Sequence, residues 1–156
     1  MSDFIFGHRN GIHIIDLQQT LIFFNNALKI IEDYAQERKN ILFVGTKRQA
    51  SDIIEKYAID CNQYFINKRW LGGMLTNWDT ISNSIKKLDE LNRNLTSENR
   101  GFTKKELLKM GTQRDKLQRS LGGIKDMKQT PDLIFVIDTN YESLAIKEAI
   151  KLNIPI

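Results

Sequence analysis

Lys68-Arg69-Trp70 and Thr76-Asn77-Trp78 bracket a Leu-Gly-Gly-Met-Leu run, and together they hold side chains suited to RNA. Cations neutralise phosphates, amides and hydroxyls bond sugar or phosphate oxygens, and indoles stack on exposed bases. Trp70 reads as a residue wedged into the core, as most tryptophans are, while Trp78 divides between burial and base stacking. Ser120-Leu-Gly-Gly-Ile-Lys-Asp-Met127 nearly repeats the first block and sets Lys125 beside the second glycine pair. Each Leu-Gly-Gly lets the backbone turn sharply or pass close to another surface, because glycine has no Cβ to clash.

The charge follows the same segment. Residues 67–128 hold 14 Lys and Arg against 7 Asp and Glu, whereas residues 1–66 hold 7 against 8 and residues 129–156 hold 2 against 4. The formal charge of +4 on 156 residues therefore conceals a basic arm on a nearly neutral body, a segregation that points to a polyanionic partner. A solvated helix face is the plainer reading of Lys86, Lys87, Arg93, Lys104, Lys105, Lys109 and Lys116, but a surplus of this size on one arm weighs against it.

Other chemistry finds little support. Ile41-Leu-Phe-Val-Gly-Thr-Lys-Arg48 runs from a strand into a helix N-terminus, a place that attracts phosphate. It lacks the earlier glycine and the Gly-Lys-Ser/Thr order of a Walker loop, and the three glycines of a dinucleotide fingerprint. Lys47 and Arg48 are better read as holding an RNA phosphate. His8 and His13 stand at no recognised metal spacing from Cys61. His8, at a hairpin turn, is solvated or RNA-facing; Cys61 fills a gap in the core. No nucleophile–base set can be assembled locally, so neither catalysis, cofactor nor metal is expected. One cysteine leaves no internal disulfide and fits a reducing compartment. No apolar run nears the roughly 20 residues that span a bilayer, so no membrane partner is expected. The start at Met-Ser-Asp-Phe reads without a signal or transit peptide. Abundant Ile, Asn and Lys are the mark of AT-rich coding, as in an organelle genome.

The elements that position these residues alternate. Phe4–Gly7 and Ile12–Ile15 form a small N-terminal β-hairpin turning at Asn10-Gly11. A helix follows Asp16, its N-cap, with Leu17, Leu21, Phe24, Leu28, Ile31 and Ala35 on one buried face. Ile41–Val44 and Leu133–Ile137 are fully buried strands, Tyr64–Ile66 a short one, and helices run to about Ile59 and over about Tyr141–Leu152. Ile154-Pro-Ile156 begins a further strand. This is an α/β protein with a parallel sheet covered by helices on both faces. The rhythm breaks at an inserted antiparallel helical hairpin of coiled-coil character, residues 76–121, on a body of residues 1–75 and 122–156. Thr76 caps its first helix, striped by Ile81, Ile85, Leu88, Leu91 and Leu95; Ser97–Gly101 makes the tip. Thr103 and Glu106 form a capping box for the second, striped by Leu107, Met110, Leu117 and Leu121 and weakened at Gly111 and Arg114.

Phe4-Ile-Phe-Gly7 with Arg9-Asn10, Ile41–Arg48, Arg69–Trp78, Ser120–Met127, Pro131-Asp132, Val136-Ile-Asp138 and Ala145-Ile-Lys-Glu-Ala149 together resemble the bacterial and organellar small-subunit ribosomal protein two family, in collinear order along the chain. The resemblance implies a flavodoxin-like domain with an inserted coiled-coil hairpin, and a structural role on small-subunit ribosomal RNA beside neighbouring small-subunit proteins. The expected RNA contacts are Arg9, Lys47, Arg48, Lys68, Arg69, Asn77, Trp78, Lys86, Lys87 and Lys125. The family's basic segment before Phe4 is absent, and its members continue past Ile156. The chain is therefore expected to be one piece of a divided protein, with a second polypeptide completing the sheet. The expected home is the mitochondrial matrix ribosome, otherwise the bacterial cytoplasm or a plastid. The rival reading is a nucleotide-dependent enzyme on a doubly wound scaffold, with its ligand near Gly45 and Asp138.

Overall fold

A computed structural model describes residues 2–96 and 101–156. The chain forms two compact units, Met1–Lys39 and Asn40–Ile156. In the first, β1 (Ile5–Arg9) pairs antiparallel with β2 (Ile12–Ile15). Asn10 and Gly11 both take positive φ, 51° and 76°, as a two-residue hairpin turn matched to the strand twist requires. His8 lies opposite His13 with their Nδ1 atoms 2.6 Å apart, so one imidazole donates to the other. Asp16 caps α1 (Leu17–Gln36) as expected, its Oδ1 accepting from the Gln18 N–H at 3.0 Å.

The apolar side of α1 departs from expectation. Leu17, Leu21, Phe24, Leu28 and Ala35 are exposed and Ile31 is half-buried. A two-stranded hairpin has too little surface to cover a helix of 20 residues. Phe4, just before β1, meets Phe23 of α1 with ring centroids 6.0 Å apart.

The second unit runs β3 (Ile41–Val44), α2 (Arg48–Asp60), β4 (Tyr64–Ile66), α3 (Trp78–Thr96), α4 (Lys104–Leu121), a 3₁₀ turn at Gly122–Ile124, β5 (Leu133–Val136) and α5 (Ser143–Lys151). The three strands are parallel in the order β4-β3-β5. Beyond α5 the chain returns to the sheet, and the Ile134 N–H donates to the Pro155 carbonyl at 3.0 Å. Strand alternation sorts the side chains into two faces. Leu42, Val44, Ile66 and Ile134 turn one way, into a core with Trp70, Met74, Leu75, Ile81, Ile85, Leu121 and the alanines of α5. On the other face a Cβ at Gly45 would lie 2.9 Å from Ile54 Cγ1, so α2 is seated directly on β3 there. Phe43 and Phe135 share that face, half-buried, 5.5 Å between ring centroids.

α3 buries Ile81, Ile85, Leu88 and Leu91. α4 turns Leu107, Met110 and Leu117, half-buried, and Leu121, buried, along its own stripe. At about 1.5 Å per residue each helix extends roughly 28 Å. The Thr103–Glu106 capping box is formed. Thr76 is not the cap of α3: the helix starts at Trp78, and the Thr76 hydroxyl donates to Glu148 at 3.1 Å. Of the expected tip, residues 97–100 lie outside the described residues. Arg114 falls on the half-buried side of α4, its buried Nε 2.7 Å from Asp115 Oδ1 but out of line for a hydrogen bond. Gly111 lies on the same side, yet nothing would come within 4 Å of a Cβ there. Gly111→Ala should therefore raise stability by about 0.5–1 kcal/mol, read as a higher urea midpoint at unchanged slope.

Cys61 corrects another expectation. It is exposed at the C-cap of α2, its Sγ 3.5 Å from the Ala58 carbonyl. The buried stripe Ala50, Ile54, Ala58 would carry position 61 inward, but the helix stops at Asp60. No helix among the described residues is long and apolar enough to cross a membrane.

Candidate nucleic-acid interface

The first glycine block is shaped by a carboxylate that the sequence reading passed over. Glu148 of α5 is buried, and it accepts from the Trp70 indole N–H (3.0 Å), the backbone N–H groups of Gly73 (2.8 Å), Leu75 (2.9 Å) and Thr76 (3.1 Å), and the Thr76 hydroxyl (3.1 Å). Gly73 permits this loop, with φ of +81° that a side chain rarely tolerates. Burial alone pushes the Glu148 carboxyl up, but the bonds from Trp70, Leu75, Thr76 and Gly73 outweigh it and hold it below the ordinary carboxylate range. Each donor left without a partner in such a site would cost about 1–3 kcal/mol, so the loop has one well-defined conformation. The signal available in the sequence was a lone acid on the alanine side of α5, between Ala145 and Ala149, where an apolar residue belongs.

A second buried acid closes the mouth of the sheet. Glu142 accepts from the Thr46 N–H at 2.6 Å and the Thr46 hydroxyl at 2.7 Å. Beside it Lys47 Nζ lies 2.8 Å from Asp138 Oδ2, and Asp138 also accepts from the Tyr141 N–H at 3.1 Å. The hydrogen bond with Lys47 comes first among the causes that hold Asp138 below its ordinary pKa, and the same bond raises that of Lys47. Thus the amide and the ammonium best placed to bind a phosphate at this strand end are already engaged by carboxylates of the protein itself.

The sequence matches the family described as Ribosomal protein S2 over residues 1–156. The chain belongs to the ribosomal protein S2 family. It is 57% identical over 156 residues to the small ribosomal subunit protein uS2 of Chelativorans sp., covering all of this chain and 58% of that protein. It is 56% identical to the proteins of the same name from Brucella ovis and Brucella suis, covering all of this chain and 61% of each. The chain thus spans about three-fifths of the length of these curated relatives.

On this S2-family framework the candidate contacts fall into groups. Lys68 and Arg69 are exposed just before the Glu148-held loop, and Asn77 is exposed just after it. Lys68 Nζ reaches Ser51 Oγ at 3.2 Å and Asp52 at 3.8 Å. Arg48 is exposed at the start of α2, and Lys125 is exposed, 4.0 Å from Asp126. Lys47 is half-buried in its pair with Asp138. Trp70 is buried, whereas Trp78 is half-buried against the core. Lys86 and Lys87 are exposed on α3, the latter paired with Glu90 at 2.8 Å. Arg9 is exposed in the first unit, on β1.

Proposed function

We propose that the chain is a structural, RNA-binding constituent of the small ribosomal subunit, contacting ribosomal RNA through Arg48, Lys68, Arg69, Asn77 and Lys125. Arg9, Lys86 and Lys87 add further phosphate contacts, and Lys47 and Trp78 chiefly set the shape of the surface. What carries this reading is the Glu148-held loop: it fixes the backbone between Trp70 and Thr76 while leaving Lys68, Arg69 and Asn77 facing solvent on either side. Residues 76–121 act as a basic arm on the body formed by 1–75 and 122–156, with α3 and α4 as the two strands of a coiled coil. Partners on this reading are ribosomal RNA, neighbouring small-subunit proteins and a second polypeptide beside the Ile154–Ile156 segment. The Ile-, Asn- and Lys-rich composition supports a mitochondrial ribosome as the setting.

The nucleotide-dependent enzyme is the weaker reading. Its phosphates would have to displace Glu142 from the Thr46 N–H and Asp138 from Lys47, adding anions to a mouth that already holds two.

Replacing Lys68, Arg69 and Lys125 with Gln together should weaken binding to small-subunit ribosomal RNA by at least tenfold. Each lost phosphate contact should also flatten the slope of log affinity against log salt by about 1 unit or less. Filter binding across a salt series measures both. Unchanged affinity and slope would remove these side chains from the interface.

A further inference from the structure

A groove of about 650 Å³ opens between the edge strand β4 and the turn that follows α4, with Lys68 and Lys125 in its lining. We propose that it receives one unpaired ribonucleotide, splayed out of the RNA that the chain binds; this rests on the reading above and deepens it. The volume is that of a ligand site, in the range of about 300–1,000 Å³. Phe65, half-buried, supplies aromatic surface, while its neighbour Tyr64 points to the other face of β4 and packs on the core; Asn62 and Gln118 supply amides, and Arg119 and Lys125 supply exposed cations. These are the three chemistries that hold a single extruded nucleotide: a ring to stack on, donors and acceptors for a base edge, and charge for the phosphate.

The lining holds three cations, Lys68, Arg119 and Lys125, against two acids, Glu55 and Asp126, so it keeps a net positive charge. Glu55 accepts a hydrogen bond from Asn67 Nδ2 at 2.7 Å, and Asp126 lies 4.0 Å from Lys125. A stacked duplex keeps its bases inside and cannot enter a concave site, so the occupant is single-stranded. A protein strand added to β4 fits less well. The 3₁₀ turn crowds that edge so closely that a Cβ at Gly123 would lie 2.2 Å from the Phe65 carbonyl oxygen, leaving no continuous row of backbone groups to pair with.

The test uses the full chain, hexauridylate as probe, and a duplex of equal length as competitor. Ultraviolet crosslinking followed by peptide mass spectrometry should place adducts on Phe65. Gln118→Ala with Arg119→Gln should weaken hexauridylate binding about tenfold, and the duplex should compete poorly. Adducts only elsewhere, unchanged affinity in the double variant, or binding of ribosomal RNA without any binding of hexauridylate would overturn the pocket while leaving the wider interface intact. Failure to bind small-subunit ribosomal RNA at all would overturn both.

Discussion

Glu148→Ala should lower the unfolding free energy by about 3–5 kcal/mol, because it strips four N–H groups and a hydroxyl of their shared acceptor inside a packed site. Glu148→Gln should lose about half as much, since one amide oxygen still accepts while the new NH₂ faces donors. Denaturant melts followed by tryptophan fluorescence would measure both. A loss under about 1 kcal/mol for the alanine variant would mean that water replaces the carboxylate without difficulty. The same residue sets an acid limit. Its folded pKa is depressed from 4.5, so its contribution is fully present above the ordinary carboxylate range and is lost as pH falls through and below it. The fall in stability on acidification should accordingly be shallower in Glu148→Gln than in the unaltered chain.

The two glycine pairs should respond unequally to alanine, although the sequence presents them as near-repeats. A Cβ at Gly123 would meet the Phe65 backbone at 2.2 Å, and neither strand nor turn can yield easily. Gly123→Ala is expected to cost about 2–4 kcal/mol. Gly73 has a strained φ for any side chain and a neighbour at 3.2 Å, so Gly73→Ala should cost about 1–2 kcal/mol. At Gly72 nothing lies within 4 Å, and at Gly122 the close atoms belong to the flexible Gln118 side chain. Those two variants should lie within about 1 kcal/mol of the parent. Thermal melts of the four variants would test the order, and equal losses across each pair would contradict it.

Much of the fold was legible because its signals are local. Ile41–Val44 and Leu133–Val136 announce themselves as short apolar runs, Asn10-Gly11 as a hairpin turn, and Thr103–Glu106 as a capping box. The buried and half-buried side chains of α3 and α4 follow 3–4 spacing through to Leu121. What stayed hidden depends on distant partners. Glu148 carried no local signal of its role because the groups that it binds are 72 to 78 residues away. Thr76 looked like a cap for want of knowing that its hydroxyl is engaged elsewhere. The apolar stripe of α1 was correctly seen, but a periodicity reports only which side is apolar; it does not say that anything covers it. The candidate cations were legible as types, whereas the neutralisation of Lys47 by Asp138, across 91 residues, was not.

The long reach of Glu148 and Glu142 has a consequence for synthesis. A chain emerging from its N-terminus displays Lys68 and Arg69 well before the acid that orders the loop beside them exists, and Thr46 precedes Glu142 by 96 residues. Contacts this far apart close late, since a long loop must be ordered before they form. Once residue 128 has emerged, the nascent protein carries the 14 Lys and Arg of residues 67–128 without the acid that orders the loop beside Lys68 and Arg69. The shape of the backbone between Trp70 and Thr76 is therefore settled only when α5 docks, long after the cations beside it have been made.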